Sequence, residues 1–312
     1  MSILLPEYST SVLIVIIILS IEFFVGYLLI KNYRSVWLSW IFPIASVTLV
    51  HLLFLKEAAG FRMLALILVL LTGMKVVMAA HYPNLKFSFG KWLMYCFTWV
   101  GMSPELFFKT KSSPDYTLLY RGGTYLIMGV SIILGILFIV KPASIPTGIN
   151  YYILSVSILI AFSQILHFGL LNISAFFLQL FKYPTYSLFR APLQAESLRD
   201  FWGKRWNLAF TEMTSVTVYR PLLKVVNEKP AMLFSFLFSG LLHEVALSLP
   251  VNSGYGLPLL YFFIQLCLTI LEREIFKNKK PGTIWVIGCL LIPLPILFHP
   301  AIMRGVFWQV IL

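Results

Sequence analysis

Charge is what this sequence has least of. Only 12% of its 312 residues are Asp, Glu, Lys or Arg, while 59% are hydrophobic. A soluble domain carries about a quarter charged residues, so a water-facing globule is excluded and a polytopic membrane protein is expected. Aspartate is scarcest, with only Asp115 and Asp200 present. Enzymes that hold magnesium on clustered aspartates, as in prenyl-diphosphate or CDP-alcohol transfer, cannot be built from two separated ones. Cysteine is nearly as rare. Cys96, Cys267 and Cys289 all lie in apolar stretches, and an odd count without close spacing excludes a disulfide framework or a zinc site. They read as small packing residues, and no metal ligand is assigned. His243-Glu244 is followed by Leu247 where a zinc protease needs its second histidine. Neither a G-x-S-x-G elbow nor a phosphate-binding P-loop occurs.

The formal net charge is +12. Basic residues gathered in membrane-flanking loops account for it through the positive-inside bias and anionic lipid, so nucleic acid is not expected as a partner. Apolar runs long enough to span a bilayer occur near residues 10–30, 36–55, 62–80, 121–141, 150–171, 230–249, 255–272 and 283–300. The expected fold is therefore all-α: a polytopic bundle of about eight spans plus re-entrant or interfacial helices. The first run lacks a preceding basic region and reads as a retained signal-anchor helix. A ninth piece, 92–102, is too short to span and ends at Ser103-Pro104. Loop charge places 172–229 and 273–282 on the cytoplasmic side and 250–254 opposite, with Lys111 inside and Lys141 outside.

The long loop holds the densest polar text. Residues 182–229 carry eight of the 24 Lys/Arg and four of the 12 Asp/Glu. Within it, Ser197 and Asp200 read as the start of a helix, Ser197 as N-cap and Asp200 near the positive end of the dipole. A helix continuing from there places Asp200, Lys204, Asn207 and Thr211 on one face, with Leu198, Phe201, Trp202 and Trp206 mostly on the others. On composition alone this is an interfacial helix with a tryptophan belt.

Downstream, Ser235, Ser239 and His243 recur at steps of four on the span after Pro230, and Glu244 stands one step round. His243 is 13 residues beyond Pro230, or about 20 Å along a helix, deep in the bilayer. Gly240 beside it leaves room for a substrate or a neighbouring helix. Ionisable groups at that depth are costly and mark function by default. The alternative is a hydrogen bond to another helix, which is also the plain explanation of Glu22 in the first span. His51, His81, His167 and His299 lie at or near span ends without ligand spacing and read as structural.

Two segments carry a resemblance. Ser197-Leu198-Arg199-Asp200-Phe201-Trp202-Gly203-Lys204-Arg205-Trp206-Asn207, followed by Ser239-Gly240-Leu241-Leu242-His243-Glu244, resembles the paired signature of the wax synthase-like branch of the membrane-bound O-acyltransferases. Trp99-Val100-Gly101-Met102-Ser103-Pro104 loosely resembles an upstream Gly-Met-x-Pro element of that branch. The resemblance implies one integral-membrane acyltransferase domain over 1–312. It also implies transfer of an acyl group from acyl-CoA to the hydroxyl of a lipophilic acceptor, a long-chain alcohol, a sterol or similar, with no permanently bound cofactor. His243 is implied as the base and Asn207 as a group near the reaction centre, either donating to the oxyanion or orienting the thioester. Arg199, Lys204 and Arg205 are placed to pair with coenzyme A phosphates, or else with lipid headgroups. Asp200, Trp202, Trp206, Ser239, Gly240 and Glu244 are supporting positions, Glu244 tuning His243 or bonding a neighbouring span. Acetylation of a small lipophilic metabolite and proton-coupled transport through His243 and Glu244 are the alternatives. Membrane lipid is the remaining partner, in the endoplasmic reticulum or a bacterial cytoplasmic membrane.

Overall fold

A computed structural model describes residues 3–109, 112–140, 145–277 and 279–312. Lys111 and Lys141, used above for loop charge, lie outside them. The described residues are helical, with no strand among them. Among the described residues six helices are long and apolar enough to cross a membrane: α1 Ser9–Asn32, α2 Val36–Leu53, α3 Ala59–Ala80, the later spans Tyr116–Ile139 and Gly148–Leu180, and the histidine-bearing span Glu228–Val251. Their outward faces are apolar. Phe138 is 93% exposed and Trp37 87% exposed, which is favourable only against lipid. The chain is thus an integral membrane protein.

The last two expected spans are less regular than the others. Residues 257–276 form a 20-residue helix whose final turns carry Glu272, Arg273 and Glu274. The 283–300 run is a bent pair, Thr283–Leu297 and Pro300–Ile311, turned by 70°. Pro293, Pro295 and Pro300 remove the amides that a straight helix would need there.

The short 92–102 piece behaves as its length requires. Helix α4, Phe89–Phe97, is followed by an irregular turn and a short helix Pro104–Lys109. One buried residue of α3 fastens this piece. The Lys75 ammonium donates to the carbonyls of Tyr95 (2.6 Å), Trp99 (2.5 Å) and Gly101 (3.1 Å) and lies 4.1 Å from the Tyr95 ring centroid. All three of its protons are used, which is what a charge with no access to water demands. The Tyr95 hydroxyl donates to Met102 O at 2.7 Å, closing the same turn.

Helices without a hydrophobic drive between them pack through small residues. At Gly240 a Cβ would stand 2.9 Å from Leu259 Cα, so Gly240 admits the neighbouring helix α5, Leu257–Phe276, and not a substrate.

Candidate active site

The signature segment begins as its capping chemistry predicts. The Asp200 amide donates to Ser197 Oγ at 3.0 Å. The free amide of Leu198 donates to both oxygens of Glu272, at 2.8 and 3.1 Å, and Trp285 Nε1 donates to the same carboxylate at 3.0 Å. Glu272 therefore fixes where the segment starts. Nothing in the local sequence pointed to it, because its partner lies 74 residues away.

The continuous helix expected from Ser197 does not form. Leu198–Asp200 runs into a widened turn, Phe201–Arg205, and the chain breaks at Trp206. Asn207 then adopts a left-handed conformation, φ 44°, which asparagine tolerates better than most residues. A new helix, α6, spans Leu208–Thr214. The face shared by Asp200, Lys204, Asn207 and Thr211 is thereby dissolved. Asp200 Oδ2 accepts from Arg205 Nε at 2.5 Å, and Thr211 Oγ1 reaches back to donate to Trp202 O at 2.8 Å. The break is held from outside the segment: Arg190 N donates to Arg205 O at 2.8 Å and Leu208 N to Leu188 O at 2.9 Å. Residues 188–190 thus splint the turn that presents Asn207.

Asn207 caps α6, its Oδ1 accepting from Phe210 N at 3.3 Å. With the oxygen occupied, the side-chain NH2 is the end left to donate, and it has no protein partner among the described residues. Phe210 connects this cap to the second signature, since its ring centroid lies 5.5 Å from that of His243. Phe262 flanks the other side of His243 at 4.5 Å and also meets Trp202 at 5.7 Å. Trp202 and Phe210 of the first signature region and His243 of the second thus border one aromatic neighbourhood around Phe262. Trp202 Nε1 is buried with no hydrogen-bond acceptor among the described residues.

Helical arithmetic holds at the second signature. His243 Nδ1 lies 2.7 Å from the backbone carbonyl of Ser239, one turn back. A carbonyl only accepts, so Nδ1 carries the proton and Nε2 presents its lone pair. The tautomer is set by the Ser239 backbone; the stripe of serine hydroxyls is not used, and Ser235 Oγ instead donates to Ala231 O. Directly after His243 the helix widens over Glu244–Ser248, a feature common at functional sites. Glu244 turns away from the imidazole, and its Oε1 accepts from Leu259 N at 3.1 Å, in the first turn of α5.

Among the basic candidates, Arg199 and Lys204 are exposed. Arg205 is engaged by Asp200 and also donates to Ala191 O at 3.1 Å. Trp206 stacks on Phe201 at 5.4 Å and stands 5.9 Å from His167. His167, read as a span-end residue, therefore packs behind the signature.

A cavity of about 390 Å³ opens on the other side of α6, lined by Leu106, Ser112, Pro184, Thr185, Tyr186, Arg190 and Glu212. The Tyr186 hydroxyl donates to Glu212, the Trp99 ring meets Tyr186 edge-on at 6.0 Å, and Arg190 lies over the Tyr186 ring. Burial pushes the Glu212 carboxyl above its ordinary range and the Tyr186 phenol likewise upward. Glu212 follows Phe210 by two residues, or about 200° around the helix, so this cavity lies behind Asn207 and not at His243. The sequence reading missed it because its walls come from separate parts of the chain. Among the described residues no group of three or more His, Cys, Asp or Glu could hold a metal ion.

Residues 184–265 match the membrane bound O-acyl transferase family. That stretch holds both signatures and the splint. Similar proteins include a long-chain-alcohol O-fatty-acyltransferase of Simmondsia chinensis, 41% identical over 68 residues, 19% of each chain. The matched stretch is thus similar to the wax synthase-like branch of the membrane-bound O-acyltransferases. It is also similar to acyl-CoA–sterol O-acyltransferase 1 of Arabidopsis thaliana, 31% identical over 106 residues, covering 31% of this chain and 30% of that one. A third relative, probable long-chain-alcohol O-fatty-acyltransferase 7 of the same plant, is 29% identical over 135 residues, covering 38% of this chain and 40% of that one. The aligned stretches thus span less than half the length of these curated relatives.

Proposed function

We propose that this protein transfers an acyl group from acyl-CoA to the hydroxyl of a lipophilic acceptor, a long-chain alcohol, a sterol or a similar compound. The observation that carries this reading is His243, deep in a span, with Nδ1 tied to the Ser239 carbonyl and Nε2 free to take a proton. Nε2 accepts the proton of the acceptor hydroxyl as its oxygen attacks the thioester carbonyl carbon. The negative charge developing on the carbonyl oxygen is met by the Asn207 NH2 and the Trp202 indole N–H, two donors that no protein acceptor occupies. Collapse breaks the carbon–sulfur bond and releases ester, and the coenzyme A thiolate takes the proton back from the imidazolium. Phe210 and Phe262 around the imidazole keep out water, the competing nucleophile.

The donor enters from the side bearing residues 182–229, which the Lys/Arg distribution assigns to the cytoplasm. Exposed Arg199 and Lys204, with Arg190 at the mouth of the 390 Å³ cavity, supply positive charge for its phosphates. The endoplasmic reticulum or a bacterial cytoplasmic membrane is the expected location. The test is ester formation by the purified protein in lipid nanodiscs from radiolabelled acyl-CoA and a panel of alcohols and sterols. Absence of any labelled ester across the panel would overturn the proposal.

A further inference from the structure

Four of the five histidines take no part in the proposed chemistry, yet one of them packs against the signature segment. His167 lies on the Gly148–Leu180 span, outside the residues 184–265 that carry the family match. The helix is widened around it, over Ser163–Leu170, as it is directly after His243. Widened turns of this kind are frequent at functional sites. The stretch is seated closely on the Tyr116–Ile139 span. A Cβ at Gly122 would stand 3.0 Å from Gly169 O, and one at Gly129 2.8 Å from Ala161 O, so the two backbones approach where only small residues fit.

From that support the imidazole reaches both pieces of chain that hold Asn207. Its ring stacks on Phe189, with centroids 4.6 Å apart and planes 29° from parallel. It meets Trp206 edge-on at 5.9 Å. Phe189 and Trp206 meet each other edge-on at 5.0 Å, so the three rings close a triangle. Phe189 is the middle residue of the splint, between Leu188 and Arg190, whose backbone bonds to Leu208 and Arg205 hold the break in the chain. Trp206 immediately precedes Asn207. The imidazole is itself oriented, because Nδ1 lies 3.2 Å from Ser163 Oγ one turn back. Beside it, Phe168 meets Phe189 at 5.6 Å and Tyr125 of the neighbouring span at 5.2 Å. Asn207 needs such support. Its φ of 44° is costly for a residue other than glycine and persists only where the surroundings enforce it. The splint bonds supply part of that enforcement and the ring triangle the rest.

We propose that His167 is a positioning residue: through Phe189 and Trp206 it holds the turn at which Asn207 presents its NH2. The consequence for catalysis rests on the acyltransferase reading; the support of the turn does not.

The test uses the full chain in lipid nanodiscs and two readouts. His167→Ala removes the ring, and His167→Phe keeps both ring contacts while losing the bond to Ser163. His167→Leu fills the space without a ring and serves where His167→Ala fails to fold. Hydrogen exchange, read by mass spectrometry on peptides containing the Arg190 and Leu208 amides, needs no turnover. It should quicken about two- to ten-fold in His167→Ala or His167→Leu, the scale of one aromatic pair, and stay near wild type in His167→Phe. Unchanged exchange without the ring overturns the support of the turn. In ester assays kcat should fall about ten-fold, inside the roughly 10²-fold that an ångström-scale misplacement can cost. The KM for acyl-CoA should not move, and His167→Phe should restore most of the rate. If His167 acts through Asn207, removing its ring in an Asn207→Asp background should add no further loss. An equal loss in both backgrounds overturns the route through Asn207. Absence of ester from the wild type overturns the acyltransferase reading alone, because exchange still decides whether His167 holds the turn.

Discussion

The two signature segments are built on opposite principles. The second follows helical arithmetic: His243 bonds the carbonyl four residues back, and Gly240 meets α5 where a small residue is needed. The first breaks that arithmetic at every step that matters. A widened turn, a left-handed Asn207 and a restarted helix replace the single amphipathic helix that the spacing suggests. The difference is one of solvent. Inside hydrocarbon the backbone must bond to itself, so a span stays helical and residue spacing maps onto space. In the polar loop, other groups can satisfy the backbone, and residues 188–190 and Glu272 do so. Side-chain positions there follow from long-range partners that no local window contains.

That contrast can be broken first at His243. If His243 is the proposed base, His243→Ala should reduce ester formation by about 10²–10⁴-fold while the protein still elutes as a folded species in detergent, because the helix bonds itself without the imidazole. Initial rates against acyl-CoA concentration give the answer, and full activity would remove His243 from the mechanism. Asn207 caps α6 and, in the proposed mechanism, also donates to the oxyanion, and Asn207→Asp separates the two. The carboxylate still caps Phe210 N but offers no donor, so the rate should fall about 10²–10³-fold with the melting temperature nearly unchanged. Asn207→Ala loses the cap as well and should also lower stability by about 1 kcal/mol. Equal rates in Asn207→Asp and wild type would show that the amide only holds the turn.

Gly240→Ala probes the regular segment through packing. The added methyl has Leu259 Cα 2.9 Å away, and overpacking of this kind costs about 1–3 kcal/mol, read as a lower midpoint in thermal unfolding. A pH effect belongs to the irregular segment. Burial raises the Glu212 carboxyl from its ordinary 4.5. Its contribution to stability is therefore complete below pH 4.5 and is lost as pH rises through the raised value. Glu212→Gln should flatten that part of the stability–pH profile, and an unchanged slope would reassign the effect. The smallest effect is expected at Ser239→Ala. His243 uses the backbone carbonyl of Ser239, not its hydroxyl, so the rate should stay within about two-fold of wild type.

Much of the site was readable because residue type and order alone carry the two signatures. His243, Asn207 and the Ser197 cap all sit where those letters suggest a role. The apolar runs likewise located the helices, six of which meet the length and apolarity of a span. The last two runs are less regular than their apolarity suggests, because periodicity is blind to where charge and proline fall within a run. Glu272, Arg273 and Glu274 crowd one end of 257–276, and Pro293, Pro295 and Pro300 bend the other stretch. Splint, cavity and carboxylate anchor were illegible for a different reason. Arg190, Tyr186, Glu212 and Glu272 gain their roles only from residues brought near by folding.

Lys75 bears on how the protein is made. An ammonium about three quarters of the way along α3 enters the bilayer at a cost of up to about 2.5–3.5 kcal/mol, the value at a helix centre by insertion scales. Its three carbonyl partners, on Tyr95, Trp99 and Gly101, are synthesised 20 to 26 residues later. During biogenesis α3 therefore carries an unmatched charge until the following piece emerges and docks. A released chain truncated before residue 95 should leave α3 poorly inserted, and extending it through residue 101 should rescue it. The same turn that carries the Gly-Met-x-Pro element is in this sense an assembly step, one that completes the N-terminal helices before the histidine span exists.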